Sequence, residues 1–275
     1  GAGLIAGGPF LSSNNSLWGA LLHGLHGMPA PDAHQLSVRT RTLAHLGQIA
    51  PVEHLADARV WVFHGKQDAL VKRSVVDALV LFYSEFVKST EMAYVVHVDV
   101  GHAMPTDSFG STGAGKPESP YMVNCGYDAA GELLAHIHGP LKAKQAVVAG
   151  SLQAFDQRPF LSRHANLSMD DTGFMYVPRA AREGRPCGVH VALHGCKQHR
   201  AEIGSTFAEH AGYNEWAEAN DLIVLYPQAS ATQSFSAFNP AGSWDWWSYT
   251  GADYALRSSA QMSSIVAMIQ ALDIS

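Results

Sequence analysis

Residues 59–105 read RVWVFHGKQDALVKRSVVDALVLFYSEFVKSTEMAYVVHVDVGHAMP, and their pattern decides the fold. Arg59 to Phe63 is a short apolar run ending in His64-Gly65, which reads as a buried parallel strand running into a turn. Val75, Val76, Leu79, Val80, Tyr83, Phe86 and Val87 recur at helical spacing, so a helix lays one face on that sheet. Met92 to Val98 is a second strand. In open α/β sheets the chemistry sits just past the carboxyl ends of the strands. Asp68 follows the first strand and His102 the second, so two neighbouring strands bring a carboxylate and an imidazole to one sheet edge. That is the acid–base half of a catalytic triad, in which the carboxylate fixes the imidazole that moves the proton.

Each residue also has a plainer reading. Asp68 could cap the helix that starts near Lys72. His102 is one of 15 histidines and could be an ordinary one. The pair at successive strand exits favours catalysis.

The rest of the composition narrows the class. A chain of 275 residues buries a sizeable core as one α/β domain. Charged residues make up 15%, the net charge is −6, and there is no basic block, which argues against a nucleic-acid partner. No apolar run approaches the ~20 residues of a membrane span. The opening GAGLIAGGPF has no positive region and is too short for a signal peptide. Three cysteines make no disulfide framework. Cys187 and Cys196 bracket the strand GVHVALHG, about 30 Å apart if it is straight, and cannot bridge. Low charge, 25 glycines and six tryptophans fit an extracellular hydrolase better than a cytosolic one.

Along the chain, Gly3 to Gly8 reads as a short buried strand, and 14–28 and 31–49 as mainly helical. His23 and His26 lack a carboxylate or Cys to complete a metal set. Asp107 to Asn124 is Gly-, Ser- and Pro-rich and reads as a loop at the rim of the site; Tyr127 to Leu141 reads as a helix capped near Asp128. Ser151 to Phe155 and Phe174 to Val177 read as edge strands of the same sheet. Gly188 to Gly195 is a buried strand ending in His194-Gly195-Cys196, and a His-Gly turn at a strand end can open an oxyanion loop. A helix from about 203 to 219, the strand DLIVLYP, a long aromatic loop and a helix from about 253 to 272 complete the chain. Trp244, Trp246, Trp247 and Tyr249 in that loop fill core or line an apolar crevice, with the pattern neutral between the two.

Taken together, HVALHGCKQ, GYNEWAEANDLIVLYPQ, the WDWW loop, FHGKQD and GHAMPTD resemble poly(3-hydroxybutyrate) depolymerases, across nearly the whole chain. The resemblance implies an α/β-hydrolase fold, a mostly parallel sheet with helices on both faces. It also implies a circularly permuted order, because acid and histidine precede the oxyanion loop. The matching branch holds a fungal single-domain enzyme and bacterial type 2 catalytic domains. By the same resemblance Asp68 matches the triad acid, His102 the base, and Cys196 the residue whose backbone N–H completes the oxyanion hole. Tyr249 falls near the aromatic position lining the polymer crevice, with Trp244 and Trp247 beside it. The implied enzyme is a secreted monomer without a cofactor or metal, acting on a polyester or hydroxybutyrate oligomer.

The chain departs from that pattern in three places. Ser243 stands where relatives carry a Cys before the WDW motif, so no disulfide can run from Cys196 to that loop. Cys125 lacks an upstream partner in 107–121. Most of all, no Gly-x-Ser-x-Gly elbow occurs in the 275 residues. Ser12, Ser13 and Ser205 have no elbow context, and the family uses the amide of Cys196, not its thiol. In the permuted branch the elbow precedes the segment matching GAGLIAGGPF. The expectation is therefore about 35–40 further residues before Gly1, comprising strand, elbow and helix. They would fill a slot beside His102, between two unpaired strand edges. The implied function is a serine esterase cutting poly(3-hydroxybutyrate) or its oligomers. The alternatives are a non-catalytic polymer-binding module and an esterase for feruloyl or acetyl polysaccharide esters.

Overall fold

The structure, a computed structural model, describes residues 1–112, 118–146, 148–162, 167–234 and 237–272. Its first half contains β1 (Ala2–Ile5), α1 (Leu17–Gly19) with a π-helical continuation at Ala20–Leu25, α2 (Ala33–His45), β2 (Val60–Phe63), α3 (Arg73–Ser84) and β3 (Met92–Val95). Then come β4 (Met104–Thr106), β5 (Ser111–Thr112), β6 (Met122–Asn124), α4 (Ala129–His138), β7 (Ser151–Asp156) and β8 (Thr172–Val177). The last part holds α5 (Arg179–Arg182), β9 (Gly188–Val191), α6 (Arg200–Ile203), α7 (Thr206–His210), α8 (Tyr213–Ala219), β10 (Leu222–Tyr226) and α9 (Ala260–Gln270).

β2 is the middle of a parallel sheet ordered β1-β2-β3. Its alternation divides the core. Val60 and Val62 face α3 and pack with Val75, Val76 and Leu79, while Trp61 and Phe63 face the cluster that includes Leu133 and Leu134 of α4. All four β2 side chains are buried, each worth about 1.5–3 kcal/mol relative to exposure. The strand begins at Val60 and the third strand ends at Val95, three residues short of the expected Val98. Beyond Val95 the chain stays zipped to the loop after β2, since the carbonyls of Val98 and Val100 accept from Lys66 and Gln67 N–H.

A second sheet has the order β7-β8-β10-β9, with β9 parallel and β8 antiparallel to β10. β8 is thus interior, where the sequence suggested an edge. The single helix expected over 203–219 is three short ones, because Gly204 (φ 63°) and Gly212 (φ 89°) take left-handed backbone that ends each helix. Helix α9 starts at Ala260, capped by the Ser259 hydroxyl on Met262 N–H, so residues 253–259 form turns ahead of it. The stretch expected as a rim loop contains β5 and β6, which join β4 in a small parallel sheet.

Among the described residues no ladder joins the two large sheets. The free edges of β1 and β9 flank a groove of about 650 Å³. This is why β9 is only half-buried where its sequence predicted a buried strand. Below the groove one apolar core is continuous from β2 through α4 and α8 to β10. Asp128 caps α4 by accepting from Gly131 N–H, and Gly131 lets the helix approach the Trp216 ring of α8, where a Cβ would lie 2.6 Å from it.

Candidate active site

The loops after β2 and β3 meet at the head of the groove. Gly65 makes the approach possible, since a Cβ there would lie 2.3 Å from the Val100 carbonyl oxygen. His64 is buried in the same turn, with Nε2 donating to the Val71 carbonyl at 3.0 Å. Asp68 is buried too. Its Oδ1 accepts from Leu70 and Val71 N–H at 2.9 and 3.0 Å, and its Oδ2 lies 2.8 Å from His102 Nδ1. A carboxylate so held makes Nδ1 the protonated nitrogen of neutral His102. Nε2 is then free to act as a base, and His102 lines the groove. Asp68 does not cap α3, which receives no side-chain bond at its start; one oxygen serves the turn ahead of the helix and the other holds His102.

Across the groove from His102, the turn after β9 brings Gly195 and Cys196 to the lining. His194 Nε2 accepts from Ala229 N–H at 3.1 Å, which leaves Nδ1 as the donor to the Gly195 carbonyl at 2.8 Å. Burial pushes the His194 pKa down to about 4, so the ring is neutral at pH 7. In a trans peptide the C=O and the following N–H point in opposite directions. Anchoring the Gly195 carbonyl inward therefore turns the Cys196 N–H the other way, where its contact among the described residues is the sulfur of its own side chain. Cys196 is exposed as a residue, but its sulfur is turned onto the buried Ser243 hydroxyl, and desolvation there raises the thiol pKa, which suits a structural thiol better than a nucleophile. The groove thus carries an imidazole oriented by a carboxylate on one wall and the Cys196 turn on the other.

No family sequence model matches the chain. The chain is 36% identical over 273 residues to the poly(3-hydroxybutyrate) depolymerase of Delftia acidovorans, covering 98% of this chain and 53% of that one, so it spans about half of that relative. It is 34% identical over 282 residues to the polyhydroxybutyrate depolymerase of Talaromyces funiculosus, covering 98% of this chain and 80% of the relative. The chain belongs to the poly(3-hydroxybutyrate) depolymerase family. Its fold is that of the family too. The crystal structure of PHB depolymerase from Penicillium funiculosum superposes with a TM-score of 0.89 at 32% identity, covering 98% of this chain and 85% of the other. A serine-to-alanine variant of PHB depolymerase complexed with an R3HB trimer matches equally well.

Within this depolymerase fold the aromatic loop differs from expectation. Trp247 and Tyr249 were expected to line a crevice, yet they are 8% and 7% exposed and pack with Ala20, Leu17 and Trp246. Their burial follows from the loop's own wiring. Asp245 Oδ1 accepts from the N–H groups of Trp247, Ser248 and Tyr249, and Oδ2 accepts from Thr250 N–H and Oγ1. The loop folds around one carboxylate and turns its rings inward. Tyr249 O–H donates to the Ser243 carbonyl at 2.6 Å and accepts from Gln261 Nε2 at 2.9 Å. Trp244 is half-buried and donates from Nε1 to the His194 carbonyl at 3.1 Å, which braces the turn after β9. All three cysteines are free thiols. Sequence reasoning missed Asp245 and Gln198, because the groups they bind are fixed only by the fold.

Proposed function

We propose that the protein is a serine esterase that hydrolyses poly(3-hydroxybutyrate) or its oligomers. The observation that carries this is the pairing of His102 with buried Asp68 in a groove that Cys196 also lines. A binding module has no use for an oriented imidazole, which weighs against the non-catalytic alternative. The serine variant bound to an R3HB trimer among the matching structures supports both a serine nucleophile and this substrate class.

In this mechanism His102 Nε2 takes the proton of the serine hydroxyl as Oγ attacks the ester carbonyl. Asp68 stabilises the imidazolium, and the Cys196 N–H receives the charge developing on the carbonyl oxygen. The imidazolium then protonates the alkoxide oxygen as its bond to the carbonyl carbon breaks, so the polyester leaves with a hydroxyl end, and water repeats the sequence on the acyl-enzyme to free the acid. The nucleophile is a serine outside residues 1–275, carried on a strand that pairs with both β1 and β9. Two features support that assignment. No Gly-x-Ser-x-Gly occurs in this sequence, and the groove is bounded by strand edges that run parallel to the neighbouring strands of their sheets. The aromatic loop serves as a brace for the oxyanion turn, with polymer contact left to exposed residues of the rim. The low charge of the chain supports an extracellular site of action on insoluble polymer.

The test is release of 3-hydroxybutyrate from polymer film by the full-length protein. Film should be degraded, while feruloyl and acetylated polysaccharides should be attacked far more slowly. Preference for a polysaccharide ester would overturn the substrate assignment.

A further inference from the structure

The base and the oxyanion donor belong to different sheets that share no ladder among the described residues, so something must fix their separation. Gln198 is placed to do so. It is only 5% exposed, and both ends of its side-chain amide are used. Oε1 accepts from Gly195 N–H at 2.8 Å, while Nε2 donates to the carbonyls of Tyr121 at 3.0 Å and Pro120 at 3.3 Å. The chemistry admits one orientation of the amide, because an N–H must face oxygen and two carbonyls must face nitrogen. The Tyr121 carbonyl also accepts from Met104 N–H at 2.9 Å, two residues beyond His102. Gly195 seats against Gln198 so closely that a Cβ would lie 2.9 Å from Oε1.

We propose that Gln198 is a positioning residue that sets the Cys196 amide against His102. The bridge runs from the oxyanion turn through one buried amide into the segment that holds the histidine loop. His194 fixes the orientation of the Gly195–Cys196 peptide, and Gln198 fixes its distance from the base. Buried hydrogen bonds of this kind are stiff, since the surrounding low dielectric makes breaking them unfavourable. A displacement of ~1 Å between reacting groups lowers turnover about 100-fold. The proposal rests on Cys196 N–H as the oxyanion donor, and its test separates the two ideas.

In the full-length protein, Gln198→Met keeps the volume and removes all three bonds, and Gln198→Glu keeps the acceptor and removes the donor. Each is assayed on p-nitrophenyl butyrate and on its thiono analogue, whose sulfur is larger and accepts hydrogen bonds poorly. Wild type should prefer the oxygen ester strongly. Gln198→Met should lower kcat on that ester about 10–100-fold with KM within about 3-fold, and the oxygen preference should fall by a comparable factor. Gln198→Glu should show the same loss of preference at pH 8 and carries the test if the Met variant does not fold. A wild type without oxygen preference would remove the oxyanion assignment and this proposal with it. A strong wild-type preference that either folded variant retains would overturn the role of Gln198 and leave Cys196 in place.

Discussion

Gly65 and Val100 lie so close that a Cβ on the glycine would sit 2.3 Å from the Val100 carbonyl oxygen. That approach presses the acid loop onto the histidine loop, and the bond between Asp68 and His102 is its product. Gly65→Ala forces the loops apart. It should destabilise the protein by about 1–3 kcal/mol and lower kcat more than 10-fold. Chemical denaturation and steady-state kinetics on p-nitrophenyl butyrate check both. Unchanged kcat would mean the loops tolerate separation.

Asp68 and His102 act as a unit. In the active full-length protein, His102→Ala should reduce turnover by several orders of magnitude, and Asp68→Asn by somewhat less, up to about 10⁴-fold. The double variant should fall well short of the product of the two losses. Multiplicative losses in the double-variant kinetics would mean independent roles.

The Asp245 carboxylate organises the aromatic loop through four backbone N–H groups and the Thr250 hydroxyl. Asp245→Ala should destabilise the protein by on the order of 3 kcal/mol, because those donors lose a charged acceptor. Thermal unfolding would register this as a lowered midpoint, and an unchanged midpoint would rule out the carboxylate as organiser.

The burial of Tyr249 and Trp247 sets a second expectation for the loop. Tyr249→Ala and Trp247→Ala should weaken hydrolysis of polymer and of a small soluble ester to the same degree, through the oxyanion turn above. Tyr249→Phe should lose only about 1 kcal/mol of stability. A selective loss on polymer would return these rings to the substrate crevice.

Burial lowers His194 from its ordinary value of 6.5 to about 4 in the folded protein. Between those values the unfolded chain binds the extra proton, so stability rises with pH across that window. The contribution is complete above about pH 6.5 and is lost as pH falls towards 4, amounting to about 3 kcal/mol in all. His190, also lowered to about 4 by burial, adds in the same direction. Urea unfolding at pH 7 and pH 5 should show a drop that becomes shallower in His194→Gln. An identical slope in that variant would exclude His194 as a source.

Much of this was legible from residue pattern alone. The apolar run ending at Phe63, the helical face of α3 and the exits carrying Asp68 and His102 are local signals, and the fold preserves each of them. The expectation of two unpaired edges beside a slot named no strands, and that β1 and β9 end their sheets among the described residues is known only from the fold. What stayed hidden depends on partners far off in sequence. Gln198 reaches Tyr121 across 77 positions, and nothing near either residue announces the other. The inward turn of Trp247 and Tyr249 depends on Asp245 bonding to the backbone of its own loop, a geometry that a cluster of aromatic letters does not reveal. The break of the expected 203–219 helix lies at Gly204 and Gly212, whose positive φ is a property of the folded backbone.

The central claim is that His102 activates a serine carried on a strand between β1 and β9. Its most direct test is to react the full-length protein with a fluorophosphonate and map the labelled residue by mass spectrometry. A single modified serine is expected, within a Gly-x-Ser-x-Gly sequence outside residues 1–275, and labelling should be abolished by His102→Ala. A label on Cys196 or on a serine of this sequence, or labelling undiminished in His102→Ala, would contradict the account.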